Sequence, residues 1–201
     1  TSDNYYLISG GSANPMVKTG VTTDGNWIFQ LRNFQFWSVQ YNPNQKIWII
    51  IKEDGFTYTY GAGSDKVNNA TQWGISWGNW IGSSNVGAAQ VLFPTAWNLA
   101  SIVSPMGHMV RYQYTNINQK LISSALEYTQ ASYLARVIDS YDRVITFNYG
   151  NKFGLLNPGT STDGNPIKQY QPQPTPSPNA YQDRYETVIL DSGDIIDTDG
   201  T

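Results

Sequence analysis

Hydrophobic and polar residues alternate along much of this chain with the period of two that places one set of side chains on a single sheet face. Phe56-Thr-Tyr-Thr-Tyr-Gly61 puts Phe56, Tyr58 and Tyr60 on one side of an extended segment. Asn26-Trp-Ile-Phe-Gln-Leu-Arg32 and Phe34-Gln-Phe-Trp-Ser-Val-Gln-Tyr41 alternate or nearly alternate. Tyr41-Asn-Pro-Asn-Gln45 reads as a turn into the strand Lys46-Ile-Trp-Ile-Ile-Ile-Lys52, and Glu53-Asp-Gly55 supplies an Asp-Gly hairpin turn before Phe56. Residues 26–61 therefore predict an antiparallel meander, and helix signals are few throughout.

Two later stretches repeat each other at an offset of 35 residues without a gap. Leu99-Ala-Ser-Ile-Val-Ser-Pro-Met-Gly-His-Met-Val-Arg-Tyr-Gln-Tyr-Thr-Asn116 matches Leu134-Ala-Arg-Val-Ile-Asp-Ser-Tyr-Asp-Arg-Val-Ile-Thr-Phe-Asn-Tyr-Gly-Asn151. Each copy reads as a strand, a four-residue polar turn (Ser104 to Gly107, Asp139 to Asp142) and a second strand ending in Tyr. The hairpin at residues 48–61 has the same shape with a shorter turn. Repeated hairpins predict stacking. The expected fold is all-β, with antiparallel hairpin repeats forming a curved sheet whose strips pack through Tyr58, Tyr60, Tyr112, Tyr114, Phe147 and Tyr149.

The remaining segments are more varied. Residues 61–90 are rich in Gly, Asn and Ser and contain Trp73-Gly-Ile-Ser-Trp-Gly-Asn-Trp80, which reads as a long aromatic loop or an irregular strand pair. Exposed Trp faces stack on pyranose rings, so Trp73, Trp77 and Trp80 are candidates for glycan contact; covering the end of a β core is their other reading. Residues 117–130 read as a short helix or a strand pair, and the repeat context favours strands. Gln171-Pro-Gln-Pro-Thr-Pro-Ser-Pro178 removes backbone donors and imposes an extended geometry. The organisation expected is a hairpin-repeat region over 1–156, a Pro/Gly-rich loop or linker over 157–180, and a terminal strand with an acidic tail over 181–201.

Composition excludes several function classes. Lys plus Arg number 12 against 15 Asp plus Glu, a net charge of −3, and the basic residues are scattered, so no footprint for nucleic acid exists. Charged residues make up 13% of the chain, below the roughly 25% of an average soluble domain. Such a surface suits an extracellular β protein or one enclosed in a larger assembly. The absence of cysteine removes disulfide frameworks, thiolate metal sites and Cys nucleophiles. No apolar run approaches the ~20 residues of a membrane-spanning helix. The N-terminal Thr1-Ser-Asp-Asn-Tyr-Tyr lacks the basic and apolar regions of a signal peptide, so the expectation is that export is encoded elsewhere or that the chain is part of something longer.

Little material remains for catalysis. His108 is the one histidine, so a Ser-His-Asp triad would need it, and it falls at a hairpin turn. Glu53, Glu127 and Glu186 are the only glutamates. Glu53 and Asp54 are accounted for by their turn, which leaves Glu127 with Asp139 or Asp142 as the candidate carboxylate pair for glycoside chemistry. Asp191, Asp194, Asp197 and Asp199 have the density of a calcium loop but lack its closing Glu, and read as a solvated tail. The expectation is a chain without catalytic, cofactor or metal residues.

Three segments taken in order resemble a known family: Trp48-Ile-Ile-Ile-Lys-Glu-Asp-Gly-Phe-Thr-Tyr-Thr-Tyr-Gly61, Thr95-Ala-Trp-Asn-Leu-Ala-Ser-Ile-Val-Ser-Pro-Met-Gly-His-Met-Val-Arg-Tyr-Gln-Tyr114 and Tyr133-Leu-Ala-Arg-Val-Ile-Asp-Ser-Tyr-Asp-Arg-Val-Ile-Thr-Phe-Asn-Tyr149. They are similar to RHS/YD-repeat proteins, and more narrowly to the segment that begins the shell in insecticidal toxin-complex B components and plasmid-virulence relatives. The similarity covers about residues 25 to 155. Asp142 stands where the first copy has Gly107 and where the family prefers Gly. The resemblance implies a secreted bacterial protein and a structural role in a hollow β-shell that encloses a toxic polypeptide, with other parts of that shell as partners. A carbohydrate-binding β module is the second reading.

Overall fold

A computed structural model of the chain describes residues 5–33, 36–61, 69–76, 91–120, 126–151, 168–169, 184–185 and 188–196. They form an all-β architecture. Eleven antiparallel strands make one open, uncurled sheet. In sheet order these are β1 (Tyr5–Ser9), β2 (Ser12–Val21), β3 (Trp27–Leu31), β4 (Ser38–Asn42), β5 (Ile47–Ile51), β6 (Thr57–Tyr60), β9 (Leu99–Val103), β10 (Met109–Lys120), β11 (Glu127–Ile138), β12 (Val144–Asn151) and β15 (Val188–Ile196). Between β6 and β9 the chain makes a separate hairpin, β7 (Thr71–Ser76) and β8 (Val91–Trp97). The two-residue strands β13 (Lys168–Gln169) and β14 (Arg184–Tyr185) pair with each other. Among the described residues no helix is long and apolar enough to cross a membrane.

The period of two positions the core. Leu7, Phe29, Leu31, Val39, Tyr41, Trp48 and Ile50 come from alternating positions of β1, β3, β4 and β5 and form one buried cluster. Cross-strand pairing stacks them in rows: Phe29 faces Val39, Val39 faces Ile50, and Tyr41 faces Trp48. Trp48 meets Tyr5, Phe29 and Tyr41 at ring-centroid distances of 5.3, 4.9 and 4.7 Å. Such aromatic contacts add about 0.5–1.5 kcal/mol each beyond area burial. A second cluster, Ile75 and Tyr128 with Leu92 and Leu126, joins the β7–β8 hairpin to the start of β11.

Residues 117–120 lie in β10 and residues 127–130 in β11, the strand reading that the repeat context favours. Other segments differ from what the sequence predicts. β1 and β2 are an additional hairpin at the N-terminus, turned by Gly10 and Gly11 at φ 58° and 77°. The terminal strand continues through residues 191–196 where composition suggests a solvated tail, because the backbone there pairs with β12 from Asn148–Ser192 to Val144–Ile196. Lys168 and Gln169, the non-proline stretch between the proline segments, form a short ladder with Arg184 and Tyr185. The prolines of Gln171 to Pro178 lie outside the described residues.

Candidate functional site

The repeated unit is a seam of hairpin turns with one geometry. At Ser104 the carbonyl accepts from Gly107 N–H (2.9 Å), and the Ser104 N–H donates to the carbonyl of His108 (2.8 Å). At Asp139 the same two bonds form with Asp142 and Arg143, both at 3.2 Å. The side chain of the first residue repeats as well, since Ser104 Oγ accepts from His108 N–H and Asp139 Oδ1 from Arg143 N–H. Lys52, Gly55 and Phe56 make the same backbone pair, so this turn has the full length of the other two. The shorter turn expected there is corrected by counting Lys52, the residue before Glu53, which stands where Ser104 and Asp139 stand in the other two. Thr22, Gly25 and Asn26 form a fourth copy that the sequence reading misses. The left-handed fourth residue explains the pattern: φ is 83° at Gly25, 78° at Gly55, 86° at Gly107 and 57° at Asp142, the geometry of a three-residue hairpin loop with a bulge.

Three of these turns lie side by side at one end of the strands and touch. A Cβ on Gly55 would meet the Pro105 ring at 2.9 Å, so the first and second turns abut. His108 stacks on Tyr141 with centroids 6.1 Å apart, and Arg111 reaches the Asp142 carboxylate at 3.1 Å, joining the second and third. Desolvation raises the Asp139 carboxyl, but the hydrogen bonds from the Arg143 side chain and from the backbone N–H groups of Tyr141 and Arg143, with the Arg143 charge, together outweigh it and hold the group below the usual carboxylate range.

The tyrosines proposed to line the strips fall into two groups. Tyr58, Tyr60, Tyr112 and Tyr114 come together across β9 on the face that carries the core. Ala100 of β9, small and buried, is the residue passed over at the β6–β9 register shift between Thr59–Ser101 and Tyr60–Leu99. Burial pushes the Tyr114 phenol up to about 12, with neighbouring Tyr112 and Tyr60 adding to it, and raises Tyr60 and Tyr112 in the same direction. Tyr114 donates to the Leu99 carbonyl at 2.9 Å and Tyr149 to the Leu134 carbonyl at 2.7 Å, one bond per copy. Tyr149 also packs on Tyr133 at 5.2 Å. Phe147 is half-buried on β12, opposite Gly193 of β15.

Of the three tryptophans with a glycan reading, Trp77 and Trp80 lie outside the described residues. Trp73 is half-buried on β7; its backbone N–H donates to Thr129 Oγ1 at 3.0 Å, and the Lys46 ammonium sits 5.1 Å from its ring centre. Glu127 and Asp139 bracket β11. Twelve residues of extended chain separate them by roughly 40 Å at about 3.3 Å per residue, against the 5–10 Å or so that a glycosidase pair needs. Asp194 accepts from Asn148 Nδ2 within the β12–β15 ladder, and Asp197 and Asp199 lie outside the described residues.

Trp97 and Asn98, which the sequence reading placed only inside a longer motif, govern how the chain leaves and rejoins the sheet. Trp97 lies across the core face, edge-on to Tyr41 and Trp48 at 5.8 Å each, and its Nε1 donates to the Lys46 carbonyl at 2.8 Å. Asn98 N–H donates to the Ala70 carbonyl (2.7 Å), its carbonyl accepts from Gly61 N–H (3.0 Å), and its Nδ2 donates to Ser132 Oγ (3.0 Å). Gly61 makes this possible. Its φ is 102°, and a Cβ there would stand 2.9 Å from Trp97 and 3.1 Å from the Lys46 carbonyl. The signal in the sequence is a Gly that closes the Tyr58-Thr-Tyr60 strand, paired with a later Trp-Asn.

No family model matches the chain, and no curated protein matches it. Among solved structures, the N-terminal domain of the effector protein SpvB from Salmonella typhimurium strain LT2 has a TM-score of 0.50 at 13% identity, over 96% of this chain and 78% of that one. The structure of TcdB2-TccC3-Cdc42 has a TM-score of 0.48 at 15% identity over 98% of this chain, which spans only 10% of that one. The likeness to the SpvB domain is one of fold.

Proposed function

We propose that this chain is a non-catalytic structural module, a strip of an RHS or toxin-complex-like β-shell that encloses or helps deliver a toxic polypeptide. The observation that carries the reading is the seam of stacked turns, in which consecutive hairpins repeat the same hydrogen bonds and touch their neighbours. That is how a wall extends. The order of the three motif-bearing hairpins and the fold shared with the SpvB domain support it. Bacterial export belongs to the same proposal. Its partners are further strips meeting β1 and β15, the terminal strands of the sheet, each with one strand neighbour among the described residues.

The apolar side chains on these strands, Ile8 on β1 and Leu190 and Ile195 on β15, are well exposed. An open edge of this kind templates pairing with another chain. Light scattering across a concentration series is the test. Concentration-dependent association that is reduced by Ile8→Lys combined with Leu190→Lys supports the reading. A chain that stays monomeric throughout, with β1 and β15 amides protected from hydrogen exchange, overturns it.

A further inference from the structure

The junctions between hairpins repeat as regularly as the turns. Thr59 pairs with Ser101 but Tyr60 with Leu99, so the ladder passes over Ala100. Gln113 pairs with Arg136 but Tyr114 with Leu134, passing over Ala135. Asn148 pairs with Ser192 but Tyr149 with Leu190, passing over Asp191. In all three, the closing tyrosine of one hairpin meets a leucine across a bulge of one extra residue. Leu99 and Leu134 open the repeated unit that follows, and their carbonyls accept from Tyr114 and Tyr149, the tyrosines that close the second arms of those units. Leu190 of β15 stands in the third such place. The sequence after β15, Asp197-Thr-Asp-Gly200, again has Asp first, as at Asp139, and Gly fourth, as at Gly107.

We infer that β15 is the first arm of a further hairpin of this series, and that its open edge takes an antiparallel strand of second-arm pattern, apolar-x-aromatic-x-Tyr, whose closing tyrosine donates to the Leu190 carbonyl. The pattern is that of Phe56-Thr-Tyr-Thr-Tyr60, Val110-Arg-Tyr-Gln-Tyr114 and Ile145-Thr-Phe-Asn-Tyr149. The row of side chains that such a strand extends is already in place. Val137 pairs with Ile145, and Ile145 with Ile195. Val137 and Ile145 are half-buried, whereas Ile195 is 74% exposed and Leu190 57%. β15 has β12 as its one strand neighbour among the described residues, so these two side chains lack the cover that each inner strand receives from the next. Backbone pairing supplies the affinity in strand addition of this kind, and alternate side chains supply the choice of strand. The inference deepens the shell reading by naming what one of its terminal strands receives.

The test titrates the intact chain, by NMR and below the concentration at which it associates, with Ac-Arg-Val-Ile-Thr-Phe-Asn-Tyr-Gly-NH2, the sequence of residues 143–150. The peptide is expected to shift the β15 amides and the Leu190 and Ile195 methyls and to leave β1 unmoved. Replacing its Tyr by Phe is expected to weaken binding about threefold or more, the loss of one hydrogen bond. Replacing its Ile, Phe and Tyr together by Thr is expected to weaken it about tenfold or more, since the cross-strand pairs go as well. Ile195→Lys changes an exposed side chain of the protein and is expected to weaken binding about fivefold or more with the rest of the spectrum kept. A peptide that leaves β15 unmoved, shifts β1 equally, or binds as tightly in its Phe or Thr form overturns the inference, as does undiminished binding to the Ile195→Lys chain. Light scattering scores the shell reading separately: a chain that associates while β15 ignores the peptide removes this inference and leaves that reading standing.

Discussion

The Tyr149 hydroxyl donates to the carbonyl of Leu134, and 35 residues earlier Tyr114 makes the same bond to Leu99. In each copy the last tyrosine of a hairpin reaches back 15 residues to its first. The bond spans both arms of the hairpin, so it ties the end of the unit to its beginning independently of the turn. Tyr114→Phe and Tyr149→Phe each remove one such bond. Each is expected to lower stability by about 1 kcal/mol in urea denaturation, with similar losses for the two. A loss at one site only would show that the two copies are not mechanically equivalent.

The fourth turn residue supplies a sharper comparison. Gly107 and Asp142 occupy the same left-handed position, at φ 86° and 57°. Asp tolerates this region and β-branched residues do not. Asp142→Gly is expected to stay within about 0.5 kcal/mol of the parent, because relief of backbone strain offsets the loss of an exposed ion pair with Arg111. Gly107→Val and Asp142→Val are each expected to cost about 1–2 kcal/mol. Chemical denaturation of the three variants checks the ordering.

The meander and the repeat were readable because each uses local signals: alternation over five to eight residues, and turn residues at fixed offsets. What sequence pattern did not reveal was long-range. Nothing near Trp97 specifies that its indole lies over Tyr41 and Trp48, some fifty residues away, or that Asn98 ties β6, β7 and β11 together. The repeat showed which residues are equivalent but not that Arg111 in one copy contacts Asp142 in the next. β1 and β2 were missed although Gly10-Gly11 is a hairpin signal, because Ser12 to Val21 alternates poorly and includes Pro15. Among the candidate aromatics, Tyr58, Tyr60, Tyr112 and Tyr114 gather as their period of two requires, whereas Phe147 and Tyr149 sit apart on β12.

Gly61 tests the junction directly. Gly61→Ala adds a Cβ at a φ of 102°, 3.1 Å from a backbone carbonyl that is already the acceptor for Trp97 Nε1. Backbone strain and overpacking together are expected to cost about 3 kcal/mol or more. Trp fluorescence reports whether Trp97 leaves its position before the rest of the sheet unfolds. A variant as stable as the parent would mean that the junction relaxes without loss.

The tyrosines make stability sensitive to alkali. Tyr41 and Tyr114 are raised from 10.0 to about 12, chiefly by burial, and Tyr60, Tyr112 and Tyr149 move the same way. An acid whose folded pKa lies above its unfolded value keeps the neutral form in the folded state and ionises first in the unfolded one. The stabilisation is therefore complete below about pH 10 and is lost as pH rises from 10 towards 12. Thermal melts at stepped pH should fall across this window, with tyrosinate absorbance appearing late and alongside unfolding. Tyrosinate formed at pH 10 in a chain that remains folded would contradict the burial argument.

The order of strands in the large sheet carries a kinetic consequence. Apart from the small hairpins set aside between β6 and β9 and between β12 and β15, each strand lies beside the one that precedes it in the chain. Each hairpin therefore forms its pairing from residues close in sequence and docks on a sheet already present, which favours rapid acquisition of structure. A chain emerging N-terminus first from a ribosome or a narrow pore would add strips one after another to a template that exists before the next arrives. The Trp97 and Asn98 junction is the exception. It must wait until β11 supplies Ser132, and so marks the step at which such vectorial folding would pause.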